Sequence, residues 1–155
     1  VFALRRGIRL FVVDEPGAIQ LLSDVAPGAS VLCRIGTPAT PGCSPEQAVG
    51  VLRESARRGL DPAGVSFHLG SGQGDPSAWD APVGRSARVL TRLRADGFAP
   101  WLLDLGGGLP AHLDGSAYPL ASYGAAIERS LRRHFPQDRP ATIVEPGRAV
   151  VADAR

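Results

Sequence analysis

Lysine is absent from this chain: all 17 of its basic residues are arginine. No side chain here offers an ε-amine, which removes imine formation with a carbonyl compound from its own side-chain chemistry. Methionine is absent too, and Val1 stands at the start. We therefore expect the chain to be a piece of something longer. Cysteine is scarce, and Cys33 and Cys43 show no CxxC spacing. Neither a disulfide framework nor a metal site is expected, and both are read as ordinary thiols. No apolar run is long enough to cross a bilayer, and Val1-Phe2-Ala3-Leu4 followed by Arg5-Arg6 lacks a signal-peptide layout. The net charge is only +2, and the arginines are dispersed rather than gathered into a stripe that would track a phosphate backbone. These absences point to a cytoplasmic protein with no membrane and no nucleic-acid partner.

What is present is enough apolar sequence for one core: 44% of 155 residues are hydrophobic. Five β-rich runs recur, at residues 9–13, 30–35, 64–69, 100–105 and 142–145. Most are followed by a helical pattern, an alternation that predicts a parallel sheet with crossover helices. The runs are apolar at nearly every position, as in Trp101-Leu102-Leu103, which predicts strands buried on both faces. Ser44-Pro45-Glu46-Gln47 combines an N-cap serine, a proline in the first turn and a capping-box glutamine, and the helix it opens should stop at Gly59. Further helices are predicted over 85–95 and 122–134, and Asp14 reads as a helix N-cap before Glu15-Pro16. Residues 70–83 read as loop.

Polar residues and glycines gather at the C-terminal ends of these strands: Asp14, Arg34, His68 with Gly70-Ser71-Gly72, Asp104 with Gly106-Gly107-Gly108, and Glu145 with Gly147-Arg148. In parallel α/β folds that edge carries the site. Five βα units do not close an eight-stranded barrel, so the sheet is either open or part of a larger barrel. Gly70-Ser-Gly-Gln-Gly74 looks like a phosphate loop, but its spacing is not GxGxxG, and Asp75-Pro76 stands where a helix should open. A dinucleotide-binding domain is therefore rejected.

Three motifs carry a resemblance to a known family. Gly64-Val-Ser-Phe-His-Leu-Gly-Ser-Gly72 resembles the strand and loop GVSFHVGSG of ornithine decarboxylases, Leu103-Asp-Leu-Gly-Gly-Gly-Leu-Pro110 resembles LDIGGGFP, and Glu145-Pro-Gly-Arg148 resembles the start of EPGRYYVA. Residues 9–14 and 31–35 match preceding strands in the same order. The resemblance implies part of a pyridoxal 5'-phosphate (PLP) binding (β/α)8 barrel of TIM type, about five βα units over residues 1–155. The N-terminal barrel strands and a C-terminal β-sandwich domain would lie outside the chain. It also implies decarboxylation of a basic amino acid by a homodimer, with ornithine or lysine as substrate and a diamine for polyamine biosynthesis as product. The family's Schiff-base lysine lies upstream of Val1, so this piece alone is expected to be inactive. Thr40-Pro41-Gly42 replaces the family's KFG, which alters local loop contacts.

The resemblance also implies roles. Glu145 would keep the PLP ring nitrogen protonated, the competing reading being a capping or ion-paired carboxylate. His68 would stack on the ring rather than sit as a backbone-satisfied histidine. Ser71, Gly106, Gly107, Gly108, Gly147 and Arg148 would hold the phosphate, since that group needs unobstructed N–H donors and a guanidinium fork. Arg34 approaches the cofactor in one reading and makes a structural ion pair in the other. Asp104 is unassigned, and His112 and His134 are given no function. Two alternatives stay open: a diaminopimelate or arginine decarboxylase relative, and a non-catalytic regulatory homologue. The chain reads His68-Leu-Gly-Ser-Gly72 and Gly108-Leu-Pro110, which favours ornithine or lysine.

Overall fold

A computed structural model describes residues 1–37, 40–111 and 118–152. The elements run α1 (Phe2–Arg5), β1 (Leu10–Val13), α2 (Pro16–Val25), β2 (Ser30–Ile35), α3 (Pro45–Arg57), β3 (Asp61–Phe67), a 3-10 turn (Pro76–Trp79), α4 (Asp80–Ala95), β4 (Leu102–Asp104), α5 (Leu120–His134), β5 (Ala141–Ile143) and α6 (Gly147–Val151). All strand pairs are parallel, and the strand order is β1-β2-β3-β4-β5. A doubly wound sheet reverses its strand order part-way and carries helices on both faces. Here the order never reverses, which is the winding of a barrel wall.

The two faces of the sheet differ accordingly. Val13, Val31, Cys33, Ile35, Val65, Phe67, Leu103 and Leu105 join the main core with apolar residues of α2, α3, α4 and α5. The opposite face holds a small cluster of Leu32, Ala63 and Leu102, flanked by Leu10 and Ile143, with no helix residue among its members. Strand residues alternate between these faces. Two-faced burial holds for β4 but not for β1 or β5. Those two are the sheet edges, and Val12 stays 51% exposed on the helix-free face.

The predicted start of α3 is borne out. Gln47 donates its N–H to Ser44 Oγ at 3.2 Å, and Ser44 donates its N–H to Gln47 Oε1 at 2.8 Å. This reciprocal cap is worth about 1 kcal/mol. Gly59 and Gly97 take positive φ just past α3 and α4, as helix-ending glycines do.

Other boundaries moved. The N-cap of α2 is Glu15 rather than Asp14, without a side-chain cap bond. Residues 76–83, read as loop, form the 3-10 turn and the start of α4. Pro82 is tolerated there because first-turn N–H groups have no intrahelical acceptor to lose. β3 begins at Asp61, three residues early, with a register irregularity opposite Ser30 and Leu32. Pro62, which has no N–H, sits in that irregular stretch, one of the few places a strand accepts it. α6 was not foreseen, and His112 lies outside the described residues.

Strand proximity is set by glycine at Gly64, where a Cβ would overlap the Leu102 carbonyl oxygen of the neighbouring strand. Gly50, in the middle of α3, is exposed, and a Cβ there would meet nothing within 4 Å. Gly64→Ala should cost several kcal/mol through strand separation, whereas Gly50→Ala should stabilise by about 0.5–1 kcal/mol through helix propensity. Urea unfolding midpoints of the two variants check both signs.

Candidate active site

Parallel winding places the C-terminal ends of all five strands along one edge, and the alternation of side chains decides which residues face away from the helices. Leu32 and Leu102 mark the helix-free face. Stepping by two along each strand from these positions brings Arg34 and Asp104 to the same face at the C-terminal edge. In register, Asp104 stands beside Ser66 on one side and Ile143 on the other, so His68 and Glu145 lie two residues further along the neighbouring chains. Asp104 is only 5% exposed. The charges of Glu145, His68 and Arg34 all act on it.

The glycine run ties these strand ends together. Gly106 takes φ +62°, and a Cβ on it would overlap the Phe67 carbonyl oxygen of β3. A Cβ on Gly107 would lie 2.6 Å from the Glu145 carbonyl oxygen and 3.2 Å from His68 Cε1. On Gly108, with φ +112°, it would lie 2.7 Å from the Gly70 carbonyl oxygen. Each glycine thus seats against a different neighbour, and any side chain would separate the pieces of the site. Glu145 N–H donates to the Gly106 carbonyl at 2.9 Å, continuing the β4–β5 pairing into the loop.

Polar contacts give the loop its orientation. Asp104 Oδ1 accepts the Gly106 N–H at 2.9 Å. His68 Nδ1 accepts the Gly107 N–H at 3.3 Å. From below, Gln73 donates its N–H to the Gly108 carbonyl at 2.8 Å and its side-chain amide to the Leu69 carbonyl at 2.7 Å. Tyr123 Oη donates to the Gln73 carbonyl at 2.8 Å, while Trp79 Nε1 donates to the Leu105 carbonyl at 3.3 Å. Trp79 and Tyr123 meet edge to face, with centroids 5.9 Å apart. Such a pair adds about 0.5–1.5 kcal/mol beyond burial. Sequence reasoning missed Gln73, Trp79 and Tyr123 because they act from another loop and another helix. The only signal was a glutamine inside a glycine loop.

The predicted site residues therefore fall into two sets. His68, Gly106, Gly107, Gly108 and Glu145 are joined by hydrogen bonds or close backbone packing, and Arg34 reaches the same cluster electrostatically. Ser71 is exposed on the loop after β3, and Gly147 and Arg148 open α6 directly behind Glu145-Pro146. These three stand near the cluster in sequence only. Asp104, unassigned from sequence, is a buried anchor of the loop. The described residues contain no group of three or more His, Cys, Asp or Glu side chains that would hold a metal ion.

This is the C-terminal edge of a parallel barrel wall carrying a carboxylate, an imidazole and a glycine cradle. The chain belongs to the pyridoxal-dependent decarboxylase family, as its pyridoxal-binding domain: that domain's sequence profile matches residues 2–152. Antizyme inhibitor 2 of Xenopus laevis is 29% identical over 99% of this chain and 36% of its own length. Ornithine decarboxylase of Rattus norvegicus is 28% identical over 99% of the chain and 35% of its own length. SrLDC, the lysine decarboxylase from Selenomonas ruminantium, was solved in complex with PLP and cadaverine. That structure superposes with a TM-score of 0.86 at 31% identity, covering 95% of this chain and 39% of its own. The chain spans little more than a third of the curated relatives' length. The cofactor of the family is pyridoxal phosphate, and the edge suits it: a glycine run with no room for a Cβ, beside an imidazole and a carboxylate residue.

Burial raises the Asp104 carboxyl above its ordinary range, and Glu145 adds to this, while the Gly106 N–H, His68 and Arg34 oppose it. A carboxyl raised on folding binds more protons folded than unfolded, so stability falls as pH climbs from its unfolded pKa through its folded one. Asp104→Asn keeps an oxygen for Gly106 while removing the buried charge. The variant should be more stable than wild type at pH 7, with the advantage vanishing below about pH 4. Denaturation at a series of pH values tests this, and parallel wild-type and variant profiles would refute it.

Proposed function

We propose that this chain forms the cofactor-binding part of a PLP-dependent carbon–carbon lyase that decarboxylates ornithine or lysine, giving a diamine for polyamine biosynthesis. The observation that carries the reading is the packing of Glu145, His68 and the Gly106–Gly107–Gly108 loop at one sheet edge, where Gly107 touches both other partners. The chain supplies about five βα units. The remaining barrel strands, a β-sandwich domain and the Schiff-base lysine come from sequence outside residues 1–155, in a cytoplasmic homodimer.

Bound PLP supplies an electron sink for the pair released as carbon dioxide leaves. The chain's own residues bind it, orient it and hold its proton. Glu145 offers a carboxylate to the ring nitrogen and keeps a proton on that atom. His68 would set its imidazole beside the ring and help to orient it. The 3.3 Å bond from Gly107 to His68 Nδ1 is longer than the bonds that Gly106 and Gly108 make, which leaves that N–H the readier to turn to a phosphate oxygen. Ser71, the Gly108 amide, Gly147 and Arg148 complete the phosphate cradle, Gly106 shapes it by leaving the space a Cβ would fill, and Arg34 adds positive charge at the same edge. The likeness to antizyme inhibitor 2 supports a second reading, a regulatory homologue without catalysis. An arginine or diaminopimelate substrate is the alternative within the enzymes.

In the full-length protein, Arg148→Ala should weaken PLP affinity by one to two orders of magnitude, from the loss of about 1.5–3 kcal/mol. Activity should return at high PLP, and Gly107→Val should bind PLP more weakly still. Equilibrium dialysis reads these effects, and equal affinities in all three proteins would remove the phosphate assignment. Glu145→Gln should retain PLP yet decarboxylate about a thousandfold more slowly, a loss of ~4 kcal/mol. Unchanged turnover would remove Glu145 from the chemistry. A wild-type protein that binds PLP but releases no carbon dioxide from ornithine, lysine, arginine or diaminopimelate would decide for the regulatory reading.

A further inference from the structure

The chain has two cysteines, ten residues apart, and the fold brings them together. Cys33 sits in β2 on the helix-covered face, wholly buried in the main core. After β2 the chain turns back, and Cys43 forms an isolated parallel bridge with Ile35. Cys43 N–H donates to the Arg34 carbonyl and Gly36 N–H to the Cys43 carbonyl, both at 3.0 Å. These bonds set the two sulfurs 3.4 Å apart, both as free thiols. Cys43 is partly exposed and lines a cleft of about 410 Å³ with Gly36, Thr37 and Arg85. It lies on the residue before Ser44, the N-cap of α3.

We propose that Cys33 and Cys43 form a redox pair, in which a peroxide oxidises Cys43 from the cleft and Cys33 then closes an intrachain disulfide. In the first step the Cys43 sulfur attacks one peroxide oxygen. An S–O bond forms, the O–O bond breaks, and the departing hydroxide takes up a proton to leave as water. In the second step the Cys33 sulfur attacks the Cys43 sulfenic acid. The S–S bond forms, the S–O bond breaks, and the hydroxyl leaves with the Cys33 proton as a second water. Two thiols are oxidised by two electrons while one peroxide is reduced to two waters.

Geometry assigns the order of events. Cys33 is sealed in the core, so an oxidant meets Cys43 first, and the resolving thiol is already in contact. The contact between the thiols works the same way: it lowers the Cys43 pKa and raises that of Cys33, which burial and nearby Asp14 raise further. Cys43 is therefore the more readily ionised of the two, and the thiolate is the nucleophilic form. Closing the bond draws the sulfurs from 3.4 Å to about 2.05 Å. This inference is independent of the cofactor reading.

The test treats the native protein with hydrogen peroxide, quenches with an alkylating reagent under denaturing conditions and maps the tryptic peptides. Cleavage after Arg9, Arg34 and Arg53 puts Cys33 in residues 10–34 and Cys43 in residues 35–53. The expected product joins these two peptides, is lighter than the separate pair by two hydrogens, and is resolved by dithiothreitol. Without peroxide, native Cys43 should alkylate at least about tenfold faster than Cys33. In Cys33→Ser the oxidation should stop at a Cys43 sulfenic acid that dimedone traps. In Cys43→Ser, Cys33 should stay unmodified at the same dose. Both cysteines alkylated in full after peroxide, or Cys33 sulfenylated first, would overturn the proposal on the wild-type protein alone.

Discussion

The site depends on how closely three backbones approach at the C-terminal ends of β3, β4 and β5. Gly106 lies against the Phe67 carbonyl, Gly107 against the Glu145 carbonyl and Gly108 against the Gly70 carbonyl. With Gly64 holding β3 to β4 lower down, the strand ends are drawn in until His68 meets the Gly107 amide. A phosphate cradle and a tight inter-strand junction ask for the same residue, because both need the space a Cβ would fill. The glycines thus shape the edge of the sheet before any ligand arrives, and the phosphate site proposed there would use the gap that the packing requires.

The same edge holds charge at a cost. Asp104 is buried beneath the loop, where desolvation disfavours its ionised form, yet the Gly106 N–H it accepts is what turns the chain out of β4. Around it stand a second carboxylate, an imidazole and a guanidinium. A cluster of this composition is stable only if the surrounding packing holds it, and that support comes from the other side: Trp79 and Tyr123, wholly buried, brace the loop through Leu105 and Gln73. The binding edge and the main core are therefore one construction, linked by hydrogen bonds to backbone carbonyls.

One-sided winding gives the sheet its second face. Helices cover Val31, Val65 and Leu103, whereas Leu32, Ala63 and Leu102 form an apolar patch with only other strand residues around it. In a closed barrel such side chains fill the interior in layers. The Cys33–Cys43 pair lies on the helix-covered side of this wall, so the oxidation and the cofactor chemistry, both proposals, are assigned to opposite faces.

Much of this was legible in the residues themselves. Each apolar run marked a strand, Ser44 with Gln47 marked the cap of α3, and the polar residues after each run marked the C-terminal edge of the sheet, because these signals are local and act within a few positions. That His68, Gly106, Gly107, Gly108 and Glu145 follow their strands at one edge was readable for the same reason. Strand order was not, since five βα units can wind in one direction or two, and only the inter-strand hydrogen bonds choose. Nor were the 3-10 turn at Pro76–Trp79, the bracing by Gln73 and Tyr123, the burial of Asp104 or the meeting of Cys33 with Cys43. Each of these depends on where a distant segment lands. Local pattern determined which residues are available for chemistry; long-range packing alone decided which of them touch, because contact between segments far apart in the chain leaves no periodicity in either one.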